Sequence, residues 1–357
     1  MDWLIQSAGV GIVLTIFADV YLTVLYPRNS YDTLSLRLSK WIWGIFRQVS
    51  HLPPFKSKRV LSHCGASLII IVVVFWVCSL TLGFALLILP ALGQGIQASQ
   101  GETPTDFATA FYYSGFALTT LGVGDLVPKT ALWRVLTILE AAMGFSVITA
   151  TITYLLSVYS ALNRRNTFAL SLYHRSSNTA NTADLLVRFK GFGRFEMATQ
   201  EISSITRDLL FLLESHHAYP VLHYFRFQQP QYSLARIAFI SLDLVTLIKT
   251  ALHPQVYKPL LTSSAVTELE SGSLDLLYQV ADSFLNEQFL DQPRNQQDWR
   301  EWYFKAVKKL QQQDIETVDD LEAGADHYVA LRNRWDNVVV ALAHYMDYSW
   351  SEIAPNV

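Results

Sequence analysis

Pro104-Thr105-Asp106-Phe107-Ala108-Thr109-Ala110-Phe111-Tyr112-Tyr113-Ser114-Gly115-Phe116-Ala117-Leu118-Thr119-Thr120-Leu121-Gly122-Val123-Gly124-Asp125-Leu126-Val127-Pro128 is the stretch around which this chain of 357 residues is organised. Its centre, Thr119 to Asp125, sets two glycines at alternate positions in a run that otherwise carries side chains. A backbone whose successive carbonyls all point one way must alternate between ordinary and left-handed dihedrals. Glycine takes the left-handed state without steric cost. A row of inward carbonyls, closed by the Thr120 hydroxyl, is a stack of oxygen cages suited to a dehydrated cation.

The rest of the composition agrees with a home in lipid. Hydrophobic residues make up 51% of the chain and charged residues 16%, a more apolar mix than ordinary globular domains carry. Mean hydropathy is positive. A net charge of -3 argues against a nucleic-acid partner. Cys64 and Cys78 both fall in one apolar run. Fourteen helical residues separate them by about 21 Å, too far for a disulfide, so two buried free thiols are expected.

Trp3 to Leu25 is an apolar run of spanning length. It lacks a basic leading region, Asp2 is acidic and Asp19 interrupts the apolar core, which favours a retained anchor helix over a cleaved signal peptide. Trp3 and Tyr26 suit the two interfaces, and Pro27-Arg28 stops the helix. An acid inside a span normally faces protein or water. Asp19 is therefore expected to hydrogen-bond the next helix, with Ser62 or His63 as partner; a gate or proton sensor is the alternative. From Thr33 to Ser50 the apolar residues Leu34, Leu38, Trp41, Ile42, Ile45 and Val49 recur at helical spacing, with Arg37, Lys40 and Arg47 between them. That pattern predicts a helix lying in the membrane surface, with anionic lipid as a candidate partner. Its break is placed at His51-Leu52-Pro53-Pro54, and Lys56, Lys58 and Arg59 lead into the next run.

Leu61 to Leu89 is nearly uninterrupted apolar sequence ended by Pro90, longer than a bilayer needs. Residues 91 to 103 are rich in Gly, Gln and Ser and read as a short turret. Thr103 is the expected N-cap of a short helix, with Pro104 at its first position and its end near Ala117. Ala131 to Leu162 is a third spanning helix. The segment between the first two spans carries Arg28, Arg37, Lys40, Arg47, Lys56, Lys58 and Arg59, and Arg164 and Arg165 follow the last span. The positive-inside rule puts both of those segments in the cytoplasm. The expected orientation is N-terminus outside and C-terminus cytoplasmic.

Residues 59 to 160 resemble the pore module of the potassium-channel family, the bacterial type with a single pore loop between two membrane helices, and the match is ungapped from Tyr112 through Gly144. The resemblance implies a tetrameric pore-loop cation channel, and with the helical periodicity after Arg165 the expected class is an all-α membrane protein with an α-helical cytoplasmic domain. It also implies a homotetramer in the lipid bilayer of the bacterial plasma membrane. The organisation that follows is an N-terminal transmembrane helix (1–28), a basic amphipathic interfacial segment (29–58), a pore module (59–162) and a helical cytoplasmic domain (163–357). Within the module the outer helix takes 60–90, the pore helix 104–117, the filter 119–125 and the inner helix 131–162. Carried over by position, Thr120, Leu121, Gly122, Val123 and Gly124 form the ion-binding filter, supported by Thr119, Asp125, Tyr113, Phe116 and Glu140. Asp125 caps the outer mouth, and Glu140 braces the back of the pore helix by hydrogen bonding. Gly144 is the bend in the inner helix, and Phe145, Ile148, Ile152 and Leu156 line the pore, an apolar wall able to close by dewetting. The permeant ligand implied is K+, with no cofactor and no metal beyond monovalent cations in the filter.

Two residues depart from the family pattern. Val123 stands where tyrosine or phenylalanine is usual, and Phe116 stands where some members carry a carboxylate paired with the mouth aspartate. Valine cannot send a hydroxyl back to the pore-helix aromatics, so a weakly selective monovalent cation channel is the first rival reading. A membrane-anchored receptor whose helical domain does the work is the second.

From Arg165 onward the sequence turns mixed, with helical periodicity near 195–215, 231–252, 271–290, 296–313 and 324–348. Breaks fall at Gly191 and Gly193, Pro220, Pro254, Pro259 and Pro293. Gly191-Phe192-Gly193 lacks the third glycine of a dinucleotide loop and follows no clear strand. The heptad-like stretch Asn333 to Tyr345 suits either packing between subunits or a core helix within one. His216, His217 and His223 have neither the spacing nor the nearby cysteine of a zinc site and read as ordinary surface and core histidines. The sequence holds no nucleotide-cradling loop, nucleophile elbow or zinc protease pair, so no enzyme is expected. The regulatory ligand of the helical domain is not specified by any motif.

Overall fold

The computed structural model describes residues 2–26, 33–52, 58–190, 197–285 and 296–354. In chain order its helices are α1 (Asp2–Val20), α2 (Leu34–His51), α3 (Lys58–Ser62), α4 (Cys64–Ile88), α5 (Phe107–Leu118), α6 (Ala131–Arg175), α7 (Thr182–Lys190) and α8 (Ala198–Ala218). They continue with α9 (Leu234–Ala251), α10 (Lys258–Leu261), α11 (Ser264–Phe284), α12 (Gln296–Gln311), α13 (Leu321–Arg332), α14 (Asp336–Tyr345) and α15 (Trp350–Ile353). Two short strands, β1 (Ile96–Ala98) and β2 (Leu126–Pro128), pair antiparallel. The breaks expected at Pro27-Arg28, Pro53-Pro54, Gly191-Phe192-Gly193 and Pro293, and Lys56, lie outside the described residues. The protein is all-α in class. The chain divides into one unit built on α1, α2, α4, α5 and α6 as far as Tyr159, and another built on the remaining helices.

Among the described residues, three helical stretches are long and apolar enough to cross a membrane: Asp2–Leu25 and Cys64–Ala91 in the first unit, and Ala131–Arg175, which belongs to it as far as Tyr159. The first ends in a π-helical turn, Tyr21–Leu25. α1 buries Gly9, Val13, Ile16 and Val20, one face at three- and four-residue spacing, and α4 buries Val72, Trp76, Leu80 and Gly83. In lipid, two helices gain little from hiding apolar surface, and close backbone approach takes over. Gly9 permits that approach: a Cβ there would stand 2.5 Å from the Gly83 carbonyl oxygen.

Asp19 ties three helices of this unit together. Its carboxylate accepts the Ser35 amide at 3.2 Å, the Ser35 hydroxyl, and the Trp76 indole N–H at 2.8 Å. All three residues are buried. The partners are therefore Ser35 and Trp76, not the Ser62 or His63 expected from depth along the spans. The carboxylate also sits at the first turn of α2, where unpaired amides and the helix dipole favour negative charge. α2 turns its serines inward (Ser35, Ser39 and Ser50, with Ile42 and Trp43) and leaves Leu34, Trp41 and Ile45 exposed. Of the two cysteines, both free, Cys64 is buried but Cys78 is exposed, which corrects the expectation of two buried thiols.

Two corrections concern the short helix and its turret. Thr103 does not cap α5; its hydroxyl accepts the Ala98 amide at 2.9 Å. The cap is Asp106, which accepts the Thr109 amide at 2.9 Å, so the helix starts one turn later at Phe107. The turret is likewise no free loop. β1 within it pairs with β2, Ile96 opposite Pro128, and the Ser99 amide donates to the Asp125 carbonyl at 2.7 Å.

The second unit is wrapped round α9, all of whose residues except Arg236 and Lys249 are buried. A helix covered on every side can hide an acid only by pairing it. Asp243 accepts from Tyr328, from Trp302 Nε1 at 3.3 Å and from Thr182 Oγ1 at 2.5 Å, and faces Arg332 at 3.4 Å. Arg332 in turn donates to Asp336 at 2.8 Å. The segment expected as one helix over 324–348 is two, α13 and α14, which turn at Asn333–Trp335. Val339, Val340 and Leu342 of α14 are buried within the chain, so the alternative of packing between subunits falls. Replacing Asp243 with alanine removes the acceptor shared by Thr182, Tyr328 and Trp302. It is expected to destabilise the second unit by about 3–5 kcal/mol, read as a lower thermal midpoint of the purified protein.

Candidate functional site

The site begins where α5 stops. Thr119, Thr120, Leu121 and Gly122 send their amides back to the last turn of that helix: Thr119 to Gly115, Thr120 to Ala117, and both Leu121 and Gly122 to Phe116, at 2.9 to 3.4 Å. The Thr119 hydroxyl adds a bond to the Gly115 carbonyl at 2.7 Å. Beyond this the backbone alternates. Thr120, Gly122 and Gly124 have φ of 57°, 59° and 82°, and neither Leu121 nor Val123 has a positive φ. Sequence reasoning placed the left-handed residues at the glycines and missed Thr120, a β-branched residue held in a costly region. Among the described residues, the carbonyl oxygens of Thr120 to Gly124 accept no hydrogen bond. All seven residues from Thr119 to Asp125 are exposed on the single chain.

Polar ties hold α5 from behind. Ser114 is fully buried, and its hydroxyl lies 2.6 Å from Glu140 Oε1 on α6 and 3.1 Å from the Thr81 carbonyl on α4. The Tyr113 hydroxyl meets Thr137 Oγ1 at 2.8 Å. Phe116 packs edge-on against both Tyr112 and Tyr113, with ring centroids 5.2 and 5.0 Å away. The Tyr112 hydroxyl faces the Asp125 carboxylate. Tyr112 was not among the residues singled out from the sequence, because an aromatic on the exposed side of a short apolar helix gives no signal of its own.

Gly144 is buried where α6 crosses the end of α5. A Cβ there would lie 1.9 Å from the Leu118 carbonyl oxygen. In this structure α6 runs through Gly144 as continuous helix to Arg175, well past the Leu162 expected from hydropathy. Phe145, Ile148, Ile152 and Leu156 are exposed along one face of it. Beside them runs a second stripe that sequence reasoning overlooked: Ser146, Thr149, Thr153 and Ser157. Each of these hydroxyls donates to the carbonyl four residues before it, at 2.7 to 3.1 Å. Their donors are thus used up within the helix.

Residues 71–161 match the family model described as ion channel. The chain is also 30% identical over 255 residues to an uncharacterised membrane protein of Bacillus subtilis (strain 168), YdjJ, a match that covers 71% of each chain. No solved structure matches the chain. The protein belongs to the ion-channel family. The matched region takes in most of α4, α5, the alternating segment and α6 as far as Ala161. This channel is a multi-pass membrane protein, and its second unit lies almost wholly outside the matched region.

Gly144→Ala in the channel is expected to push the Leu118 end of α5 away from α6, since the carbonyl it meets is backbone and cannot rotate aside. Overpacking of this kind costs about 1–3 kcal/mol. The check is the thermal midpoint of the purified protein, which should fall for Gly144→Ala and stay unchanged for a control at the exposed Ala142.

Proposed function

We propose that the chain is one subunit of a homotetrameric, passive potassium channel in which four copies of the Thr119–Asp125 segment surround one axis. The observation that carries this reading is the unbroken row of unpaired carbonyls from Thr120 to Gly124 on a backbone of alternating hand. Main-chain oxygens at membrane depth that bond to nothing in their own chain are costly unless a cation takes them. A single segment cannot encircle an ion, so the reading demands several copies. An apolar groove of about 590 Å³, lined by Phe107, Phe111, Tyr112, Phe116 and Leu121 beside the segment, supports a neighbouring copy as its cover.

In this reading Thr120, Leu121, Gly122, Val123 and Gly124 hold dehydrated K+, and Asp125 at the mouth attracts it. Thr119, Tyr113, Phe116 and Glu140 keep the pore helix in place. The C-terminal end of that helix turns its negative dipole toward the central cavity. Phe145, Ile148, Ile152 and Leu156 form the apolar wall, with the neighbouring hydroxyl stripe as its wetted side. Gly144, the single glycine of α6, is where that continuous wall would bend on opening. The basic residues around α2, with Arg164 and Arg165 in the last third of α6, support a cytoplasmic place for those segments and the second unit in a bacterial cell, with anionic lipid against the exposed face of α2.

A weakly selective cation channel is the second reading, and Val123 is the residue that favours it. Its side chain is half exposed and apolar, with no hydroxyl to tie the filter to the pore-helix aromatics. Liposomes holding the purified protein are expected to pass K+ far faster than Na+ in a flux assay. Equal fluxes would move the assignment to the weakly selective channel. Val123→Tyr is expected to raise the K+/Na+ flux ratio or slow rundown, and no change in either would remove the argument from Val123.

A further inference from the structure

The histidines of the second unit have a use that no zinc motif suggested. Arg165, on the continuation of α6, is buried and donates to two carbonyls of one short segment, Leu222 at 3.0 Å and Phe225 at 2.6 Å. That segment is a 3-10 turn, Pro220–Tyr224, directly after α8. His223 lies within it and His216 lies in the last turn of α8, and both are buried. Neither ring nitrogen of either histidine has a hydrogen-bond partner among the described residues. The His223 ring is stacked on Phe284 of α11 at 3.9 Å and lies 5.5 Å from the ring of Tyr345 of α14. The segment is therefore clamped between Arg165 on one side and an aromatic wall on the other.

The charged and titratable groups that act on the pair are cationic or neutral, so none of them favours a protonated ring. Arg165 faces both rings from α6, His216 and His223 face each other, and His217 faces His216 from α8. Tyr224 and Tyr345 are the titratable side chains against the His223 ring. Among the described residues no carboxylate acts on either ring; Glu214, the acid nearest in the chain to His216, sits 3.9 Å from His217 and is exposed. Tyr348 acts on Arg165 and stacks under Arg226. Burial first, then the Arg165 charge and His217, hold His216 down to about 3; burial first, then His216 and the Arg165 charge, hold His223 well below the ordinary range.

We propose that His216 and His223 are an acid-operated release for the Arg165 clamp, through which protons on the C-terminal side of the membrane control opening of the channel. A proton on either ring would bury a second positive charge beside Arg165 with no anion among the described residues to balance it, so the ring is protonated only when the segment leaves its seat. The sign follows from linkage. Above about pH 6.5 neither seated nor released histidine binds a proton, and the clamp is unpenalised. Below it the released ring binds a proton that the seated ring refuses, which favours release about tenfold per histidine per pH unit. Arg165 stands nine residues beyond Leu156 on the same uninterrupted helix, so losing its two carbonyl partners changes how the lower end of the pore wall is held.

The test uses the full chain in lipid, at pH 7.5 and 5.5, with two readouts: amide hydrogen exchange over residues 216–225, corrected for intrinsic rates, and K+ flux. The natural protein is expected to gain about a hundredfold in exchange there on acidification, with a change in flux. The double variant H216L/H223F keeps the apolar packing and loses no hydrogen bond, and is expected to respond in neither. Should it fail to fold, H216L or H223F alone must show about a tenfold gain. An unaltered acid response in the double variant, or no response in the natural protein, overturns the proposal. Exchange that responds without any change in flux overturns the link to opening. This inference rests on the chain being a channel; a protein that carries no flux at any pH defeats that reading, while the exchange readout still decides the release.

Discussion

A chain that leaves the helix at membrane depth must find partners for its main-chain polar groups within protein, because lipid supplies none. Between Leu118 and Leu126 the main chain runs outside any helix and meets that demand only in part. The amides of Thr119 to Gly122 are absorbed by the last turn of α5, and the Asp125 carbonyl by Ser99. What is left over is the row of carbonyls from Thr120 to Gly124. Within the chain the amides of Thr119 to Gly122 have partners and the carbonyls of Thr120 to Gly124 have none among the described residues, and in the channel proposed above those free oxygens suit a cation.

Such a segment is only as fixed as the helix it hangs from. α5 has a dozen residues, too few to be stable by propensity alone. It is held by Ser114 against α4 and α6, by Tyr113 against α6, and by the contact of Leu118 with Gly144. Where these helices meet in lipid, small residues and hydrogen bonds do the joining that apolar burial does in water. The same principle recurs at Gly9 on α1 and at the Asp19 carboxylate, which ties α1, α2 and α4 together. The second unit solves the opposite problem. There α9 is buried on all sides, and the cost of its one acid is met by a cluster of donors drawn from α7, α12 and α13.

The spans were legible from the sequence because their signal is additive: twenty apolar residues in a row outweigh any single exception. The alternating glycines were legible for a different reason, since an amino acid without a side chain marks a backbone state directly. Thr120 shows the edge of that rule. Its left-handed conformation is imposed by the α5 carbonyls that capture the amides around it, and nothing in a threonine announces it. β1 and β2 were invisible because three residues carry no period. The start of α5 was misplaced because Thr103 and Asp106 are equally good caps by residue type, and only the pairing of Ala98 with Thr103 decides between them.

By itself, then, the sequence determined the class of molecule, the three apolar spans and the alternation of glycines in the segment between the second and third. These depend on composition and local spacing, which a linear chain displays. The tertiary structure alone decided which groups Asp19 and Glu140 meet, why α6 needs a glycine at position 144, and that His216 and His223 share a buried seat with Arg165. Each of these joins residues far apart in the chain or on separate elements, and the physical quantity at stake, whether a buried polar atom has a partner, exists only once the elements have packed.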